Sequence, residues 1–260
     1  MTEEELERAA QRLVEAEHPI CLTGAGLSVE SGIPPFRGPG GIWTTHGEPP
    51  MDGFQRFLRD PAGEWRKRLS PEGPMKAFTE LLDAAQPNAA HEALVELERL
   101  GVLRCVITQN IDGLHRAAGQ EHLLEIHGNA TLLRCLDCGG RWPRSAIPID
   151  PERLPPHCSV CGGILKSDTV QFGEPIPTDV LERCLEQAAR ADCCIVAGTS
   201  ATVFPAAQIP LDILARGGQL IEVNLYKSEI TPKCVESLRG PAGEMLSALT
   251  RAVKRRLDRR

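Results

Sequence analysis

Tyrosine is almost absent from this chain: Tyr226 stands alone among 260 residues, beside six phenylalanines and three tryptophans. So few aromatics exclude a base-stacking surface for single-stranded nucleic acid. An excess of positive charge is missing too. The 29 lysines and arginines face 35 acidic residues, a net charge of −6, so the chain as a whole is no polyanion binder. It has no run of 18 apolar residues, which excludes a helical membrane span. The opening MTEEELERAA is acidic and amphipathic, unlike a secretory signal, so the cytosol is the expected compartment. The basic tail at 254–260 reads as a frayed, solvated helix end rather than a nucleic-acid arm. What remains is ordinary globular composition, 42% apolar and 25% charged, with length for one large or two small domains.

Cysteine is abundant, with ten, and they divide into two classes. Cys21, Cys105, Cys184, Cys193, Cys194 and Cys234 lie mostly in apolar runs and read as packing residues. Cys135-x-x-Cys138 and Cys158-x-x-Cys161 have zinc-ribbon spacing, and each pair is followed by Gly-Gly. In a reducing compartment such pairs are metal ligands rather than disulfides. Four thiolates complete a tetrahedral zinc shell and leave no place for water, so the expected zinc, one per chain, is structural. His157 could compete as a ligand, but the four cysteines already complete the set.

Helices are expected at 2–17, where Thr2 and Glu5 suit a capping box, and at 52–59, 74–85, 88–100, 178–190 and 204–216. Short strands are expected at 19–23, 102–108, 123–126, 193–197 and 219–223. Their alternation predicts an α/β fold with a doubly wound, mostly parallel sheet. Residues 33–86 begin rich in proline and glycine and interrupt this pattern, as a lid over a site would. Polar motifs fall just after strand ends: Gly24-Ala25-Gly26, Gln109-Asn110-Ile111-Asp112, Gly198-Thr199-Ser200 and Asn224. In an open α/β sheet those ends form one ligand crevice.

Gly24-Ala25-Gly26 alone is a weak signal. Joined to Leu27-Ser28-Val29-Glu30-Ser31-Gly32-Ile33-Pro34-Pro35-Phe36-Arg37, to residues 108–115, to His127-Gly128, to the cysteine pairs and to Phe172-Gly173-Glu174, it resembles the sirtuin (Sir2) family of NAD-dependent protein deacylases. The resemblance runs from about residue 10 to 250, with the motifs in the family's order. It implies a Rossmann-like NAD-binding domain from 1–34, 87–128 and 171–260, with a small module made of a helical lid, 35–86, and a zinc ribbon, 129–170. It also implies roles. Gly24, Ala25 and Gly26 would let backbone amides approach the pyrophosphate. Ser28, Phe36, Arg37, Gln109, Asn110, Ile111 and Asp112 would line the nicotinamide and its ribose. Gly198, Thr199, Ser200, Asn224 and Ala242 would hold the adenosine half. His127 would be the general base, assisted by Asn110. Val170, Phe172, Gly173, Glu174 and Val203 would bind an acyl-lysine peptide, added as a strand. Partners would then be acyl-lysine proteins, with no membrane or nucleic acid, and the chain is expected to be a monomer.

The implied reaction transfers the acyl group from lysine to ADP-ribose and releases nicotinamide. Two departures from the family bear on it. Pro35 replaces the common aspartate of the Gly-Ile-Pro-Asp-Phe-Arg stretch, removing a carboxylate and an amide donor. The Tyr-x-x-Arg pair of sirtuins that take succinyl- or malonyl-lysine is absent, so neutral acyl groups are expected, acetyl first, although Arg66, Lys67 and Arg68 keep an acidic-acyl reading open. NAD glycohydrolase or mono-ADP-ribosyltransferase chemistry on the same scaffold is the alternative, and a non-catalytic binding module is a further one. His91 and His115 read as structural hydrogen-bonders, the tryptophans as packing anchors, and Glu174 as a possible ion-pair partner.

Overall fold

The computed structural model describes residues 2–259. Its strands are β1 (Pro19–Thr23), β2 (Cys105–Thr108), β3 (Leu123–Glu125), β4 (Gly128–Cys135), β5 (Arg141–Pro143), β6 (Leu165–Thr169), β7 (Cys193–Ala197), β8 (Gln219–Asn224) and β9 (Glu236–Arg239). The helices are α1 (Glu3–Glu15), α2 (Ile42–His46), α3 (Gly53–Arg59), α4 (Pro61–Leu69), α5 (Gly73–Ala84), α6 (Ala89–Arg99), α7 (Leu114–Ala117), α8 (Thr178–Arg190), α9 (Gln208–Ala215) and α10 (Ala242–Leu257).

Six strands form a parallel sheet in the order β3-β2-β1-β7-β8-β9. Residues alternate faces along a strand, and both faces here are buried. Cys21, Val106, Ile195 and Ile221 pack among α1, α6 and α10. Ile20, Leu22, Ile107, Cys194 and Leu220 pack toward α8 and α9. The expected doubly wound, Rossmann-like α/β sheet is therefore present. Five of the six cysteines outside the paired motifs are buried, four in its strands and Cys184 on α8, and Cys234 is partly buried.

A second sheet, β5-β4-β6, is antiparallel. Its small core joins the cysteine segment to α3 and α4 through Phe57, Trp65, Leu133, Cys135, Cys158 and Leu165. Trp65 is the anchor the sequence suggested: it is buried, and its Nε1 donates to the Leu165 carbonyl at 2.9 Å.

Several expectations hold and a few shift. The Thr2–Glu5 capping box forms. Neither α2 nor α4 was anticipated. Asp60 caps α4, accepting from Gly63 N at 2.8 Å, and Pro61 suits its first turn. The basic tail is not frayed over the residues described: Arg255 and Arg256 pair with Glu7 at 2.7 and 3.2 Å, docking α10 on α1.

Candidate functional site

The strand-end motifs meet in a cleft of about 2450 Å³ at the carboxyl ends of the parallel strands. Gly24, Ala25, Gly26, Gln109, Asn110, Ile111, Asp112, Gly198, Thr199, Ser200, Asn224 and Ala242 line one side. Phe36 and Arg37 reach over it from the loop before α2, and His127, Val170, Phe172, Gly173, Glu174 and Val203 complete it.

Glycine is required where the two nucleotide-side turns touch. A Cβ on Gly26 would stand 2.8 Å from the Gly198 carbonyl, and one on Gly198 (φ +60°) would stand 2.3 Å from Leu27 N. The Gly26 amide donates to Gly198 O at 2.7 Å, so backbone alone forms this floor. Such a floor fits a pyrophosphate, which needs close backbone approach.

Ser28 departs from its expected place: it does not line the cleft. It is buried behind it, donating to Asp112 Oδ2 at 2.7 Å and accepting from Asn110 Nδ2 at 3.1 Å. Asn110 also donates to Gly24 O at 3.1 Å. Asp112 accepts from Leu114 N at 2.9 Å, which caps α7, and burial raises its pKa. Ser28 thus orients two cleft residues and is itself withdrawn. Gln109 donates to Thr199 Oγ1 at 3.0 Å and Asn224 Nδ2 to Thr199 O at 2.9 Å, tying three motifs together.

His127 Nδ1 lies 3.1 Å from the Gln109 carbonyl. A carbonyl only accepts, so Nδ1 carries the proton and Nε2 is left as the basic nitrogen. Burial lowers the His127 pKa, partly offset by that hydrogen bond, so the ring is neutral at pH 7. The next segment is held on both sides: Val170 N donates to His127 O at 2.8 Å and Phe54 N to Phe172 O at 3.0 Å. The Glu174 carboxylate is not free. It pairs with Arg134 at 2.5 Å and Lys166 at 2.9 Å and accepts from Gln171 N, bracing this segment as the ion-pair reading supposed.

Three supports stand behind the site; sequence reasoning missed Glu30 and Lys166 and read Trp43 as a packing anchor. Glu30 Oε1 accepts from Gly243 N at 2.8 Å and fixes the Ala242 turn. Trp43 stacks between Phe36 (4.8 Å) and Phe172 (5.6 Å) and lies under Arg37, joining the loop to the 170–172 segment. Lys166, buried, donates to Thr169 O at 2.6 Å. No local sequence signal pointed to Glu30 or Lys166. His91 and His115 are buried and structural: His91 Nδ1 accepts from Asn88 N at 3.2 Å, and His115 Nε2 lies 3.0 Å from Thr23 Oγ1.

The Sγ atoms of Cys135, Cys138, Cys158 and Cys161 all lie within 4.8 Å of one another, the nearest pair at 3.5 Å. Sulfurs about 2.3 Å from one tetrahedral zinc stand roughly 3.8 Å apart, so the cluster fits that ion. His157 takes no part, because its Nδ1 is engaged with Gly162 O at 2.9 Å.

A model of the Sir2 family matches residues 24–205. The chain belongs to the Sir2 family. It is 42% identical to NAD-dependent protein deacylase 1 of Archaeoglobus fulgidus over 97% of this chain and 99% of that one. Identity to an NAD-dependent protein deacetylase of Caldivirga maquilingensis is 41% over 95% of this chain and 93% of that one. Among solved structures, a Sir2 homolog–NAD complex superposes with a TM-score of 0.80 at 42% identity, covering 96% of this chain and 94% of that one. Sir2Af2 bound to a myristoylated histone peptide superposes with 0.72 at 33% identity, with 100% coverage of both. Family membership thus accounts for the pairing of a glycine-floored cleft with a four-cysteine cluster in one Sir2 chain.

Proposed function

We propose that this Sir2 chain is an NAD-dependent protein lysine deacylase, acting first on acetyl-lysine. The observation that carries the reading is His127, whose basic Nε2 belongs to a neutral ring in the cleft that the glycine turns floor. NAD supplies an ADP-ribosyl group whose anomeric carbon becomes electrophilic as nicotinamide leaves. Gly24, Ala25 and Gly26 receive the pyrophosphate on backbone amides. Asn110 and Asp112, oriented by Ser28, hold the nicotinamide carboxamide, with Gln109 and Ile111 beside them. Phe36 and Arg37 close over the ribose. Gly198, Thr199, Ser200, Asn224 and Ala242 hold the adenosine half. Val170, Phe172, Gly173, Val203 and the backbone at Glu174 receive the acyl-lysine peptide as an added strand. The amide oxygen of the acyl-lysine bonds to the anomeric carbon that nicotinamide leaves, giving an imidate. His127 Nε2 takes the proton of the ribose 2′-hydroxyl, whose oxygen attacks the imidate carbon; the C–N bond to lysine breaks with a proton going to the amine, and one water supplies the remaining oxygen and protons of the product. Free lysine, nicotinamide and O-acyl-ADP-ribose leave.

The zinc holds the small module and stays outside the chemistry. A reducing cytosol suits the unpaired buried thiols and the thiolate cluster. No helix among the described residues is long and apolar enough to cross a membrane.

The test is NAD with an acetyl-lysine peptide, with products read by mass spectrometry. Wild type is expected to form O-acetyl-ADP-ribose, and His127→Ala to form it about 10²–10⁴-fold more slowly. Equal product from both proteins overturns the mechanism. Nicotinamide release that needs no peptide points instead to glycohydrolase activity.

A further inference from the structure

We propose that Glu48 is a positioning residue for NAD: its carboxylate holds the Arg37 guanidinium on the Trp43 ring, and so sets the Phe36–Arg37 loop over the nicotinamide ribose before the cofactor arrives. This rests on the deacylase reading for the identity of the cofactor and adds a residue to its binding.

Pro35 stands two residues before Arg37 and offers it no carboxylate. The loop takes one from further along the chain. Arg37 Nε and Nη2 both donate to Glu48 Oε1, at 3.1 and 3.0 Å, across a separation of eleven residues. The same guanidinium lies over the Trp43 ring, 4.6 Å from its centroid. An ion pair and a cation–π contact therefore act on one group. The backbone explains how they meet. Ile42 N donates to Pro35 O and Trp43 N to Phe36 O, both at 2.9 Å, so the loop satisfies the first amides of α2. This fold-back is tight, since a Cβ on Gly41 would stand 2.8 Å from the Phe36 carbonyl. Gly47 (φ +86°) ends α2 with its amide on Trp43 O at 2.9 Å, and the turn it makes returns Glu48 to Arg37.

Position gives the pair its task. Phe36, Arg37 and Trp43 line the cleft, and Glu48 does not. The carboxylate thus grips the arginine from outside and takes no room from a ligand. Arg37 Nη1 has no hydrogen bond to protein among the described residues and is left to donate elsewhere. The arginine side chain is 40% exposed and the glutamate 60%, and an ion pair so open to water adds little to stability. Its effect falls on binding instead. A long side chain already pinned between a ring and a carboxylate has less rotamer freedom to lose when the ligand arrives. Charge alone makes the opposite prediction: removing an acid near an anionic dinucleotide would tighten binding. The direction of the effect therefore separates the two.

The experiment is calorimetric titration of the zinc-loaded protein with NAD and with ADP, which lacks the nicotinamide ribose. Glu48→Gln is expected to raise the Kd for NAD about five- to tenfold and to leave that for ADP within about twofold, with the urea midpoint unchanged. Arg37→Met is expected to raise the NAD Kd at least as much. Adding Glu48→Gln to Arg37→Met is then expected to change it by less than about twofold, because the carboxylate has lost the group it acts through. An NAD Kd that is unchanged or lowered in Glu48→Gln overturns the proposal. So does an equal rise for ADP, which marks a general loosening of the nucleotide site. Effects that multiply in the double variant overturn it too, since Glu48 then acts without Arg37. The expected pattern in a protein that turns over no acyl peptide defeats the deacylase reading and leaves this inference standing. No binding of NAD at all defeats both.

Discussion

The two sheets are stabilised by different means. The six-stranded sheet buries Ile, Val and Leu on both faces, and its buried acids, Glu222 and Glu236, lie at the β8–β9 edge. The three-stranded sheet has a core cluster of six buried residues, and beside it Arg134, Lys166, Asp168 and Glu174 are buried as ions. Arg134 pairs with Asp168 at 3.0 Å, and Arg141 bridges Asp168 and Asp179, linking this sheet to α8. An apolar sheet stands by itself once folded. A small sheet with few apolar contacts depends on a metal and on the completeness of its ion pairs. The small sheet and the 169–174 segment braced on it are thus the more fragile half of the site.

Metal removal should separate the two halves most sharply. Cys135→Ser with Cys158→Ser, or chelation, is expected to abolish acyl-peptide turnover and to open residues 129–170 to trypsin while the parallel sheet stays resistant. Metal analysis and mapped proteolysis read this, and full turnover by metal-free protein would remove the contrast. Lys166→Met comes next. It leaves Glu174 with Arg134 and the Gln171 amide, and a loss of about 3 kcal/mol is expected from the urea midpoint. Ile195→Val in the other sheet should cost only about 1 kcal/mol. If the order reverses, buried charge is not what holds the small module.

Acid should instead weaken the nucleotide half. Burial lowers the His91 pKa to about 4 from 6.5. Between those values the unfolded chain binds a proton that the folded chain refuses, so stability falls as pH falls through the window and levels off below it. The His91 share of the loss is about 2 kcal/mol by pH 5, and His91→Gln, measured against its own stability at pH 7.5, should lose that much less, the share of buried His115 and His127 remaining. The last effect is local. Gly26→Ala forces a Cβ against the Gly198 carbonyl and is expected to raise KM for NAD about tenfold, or about 1.4 kcal/mol, with little change in peptide KM. An equal rise in both would mean that the two sheets move as one.

Five of the six strands of the parallel sheet and most of its helices were legible in the sequence because apolar period and glycine punctuation are local signals; β9 was not read. The strand-end motifs were legible for the same reason. Helices α2 and α4 were not, since both are short and begin beside Gly41 and Pro61, where local preference is ambiguous. Ser28 sits in the most recognisable motif of the chain, yet the 3-10 turn that follows Gly24 carries its side chain inward. Glu30 finds Gly243, and Trp43 finds Phe172, across long sequence separations, which no motif reports.

The sequence by itself determined the alternating α/β pattern, the strand-end glycines, the basic histidine and four thiolates at zinc spacing, because each depends on residues near one another in the chain. Only the tertiary structure decided that Ser28 stands behind the cleft and that Glu174 is spent on Arg134 and Lys166. Those are questions of which charges and hydrogen-bonding groups meet after folding. Burial then decides how strongly each unpaired group requires a partner.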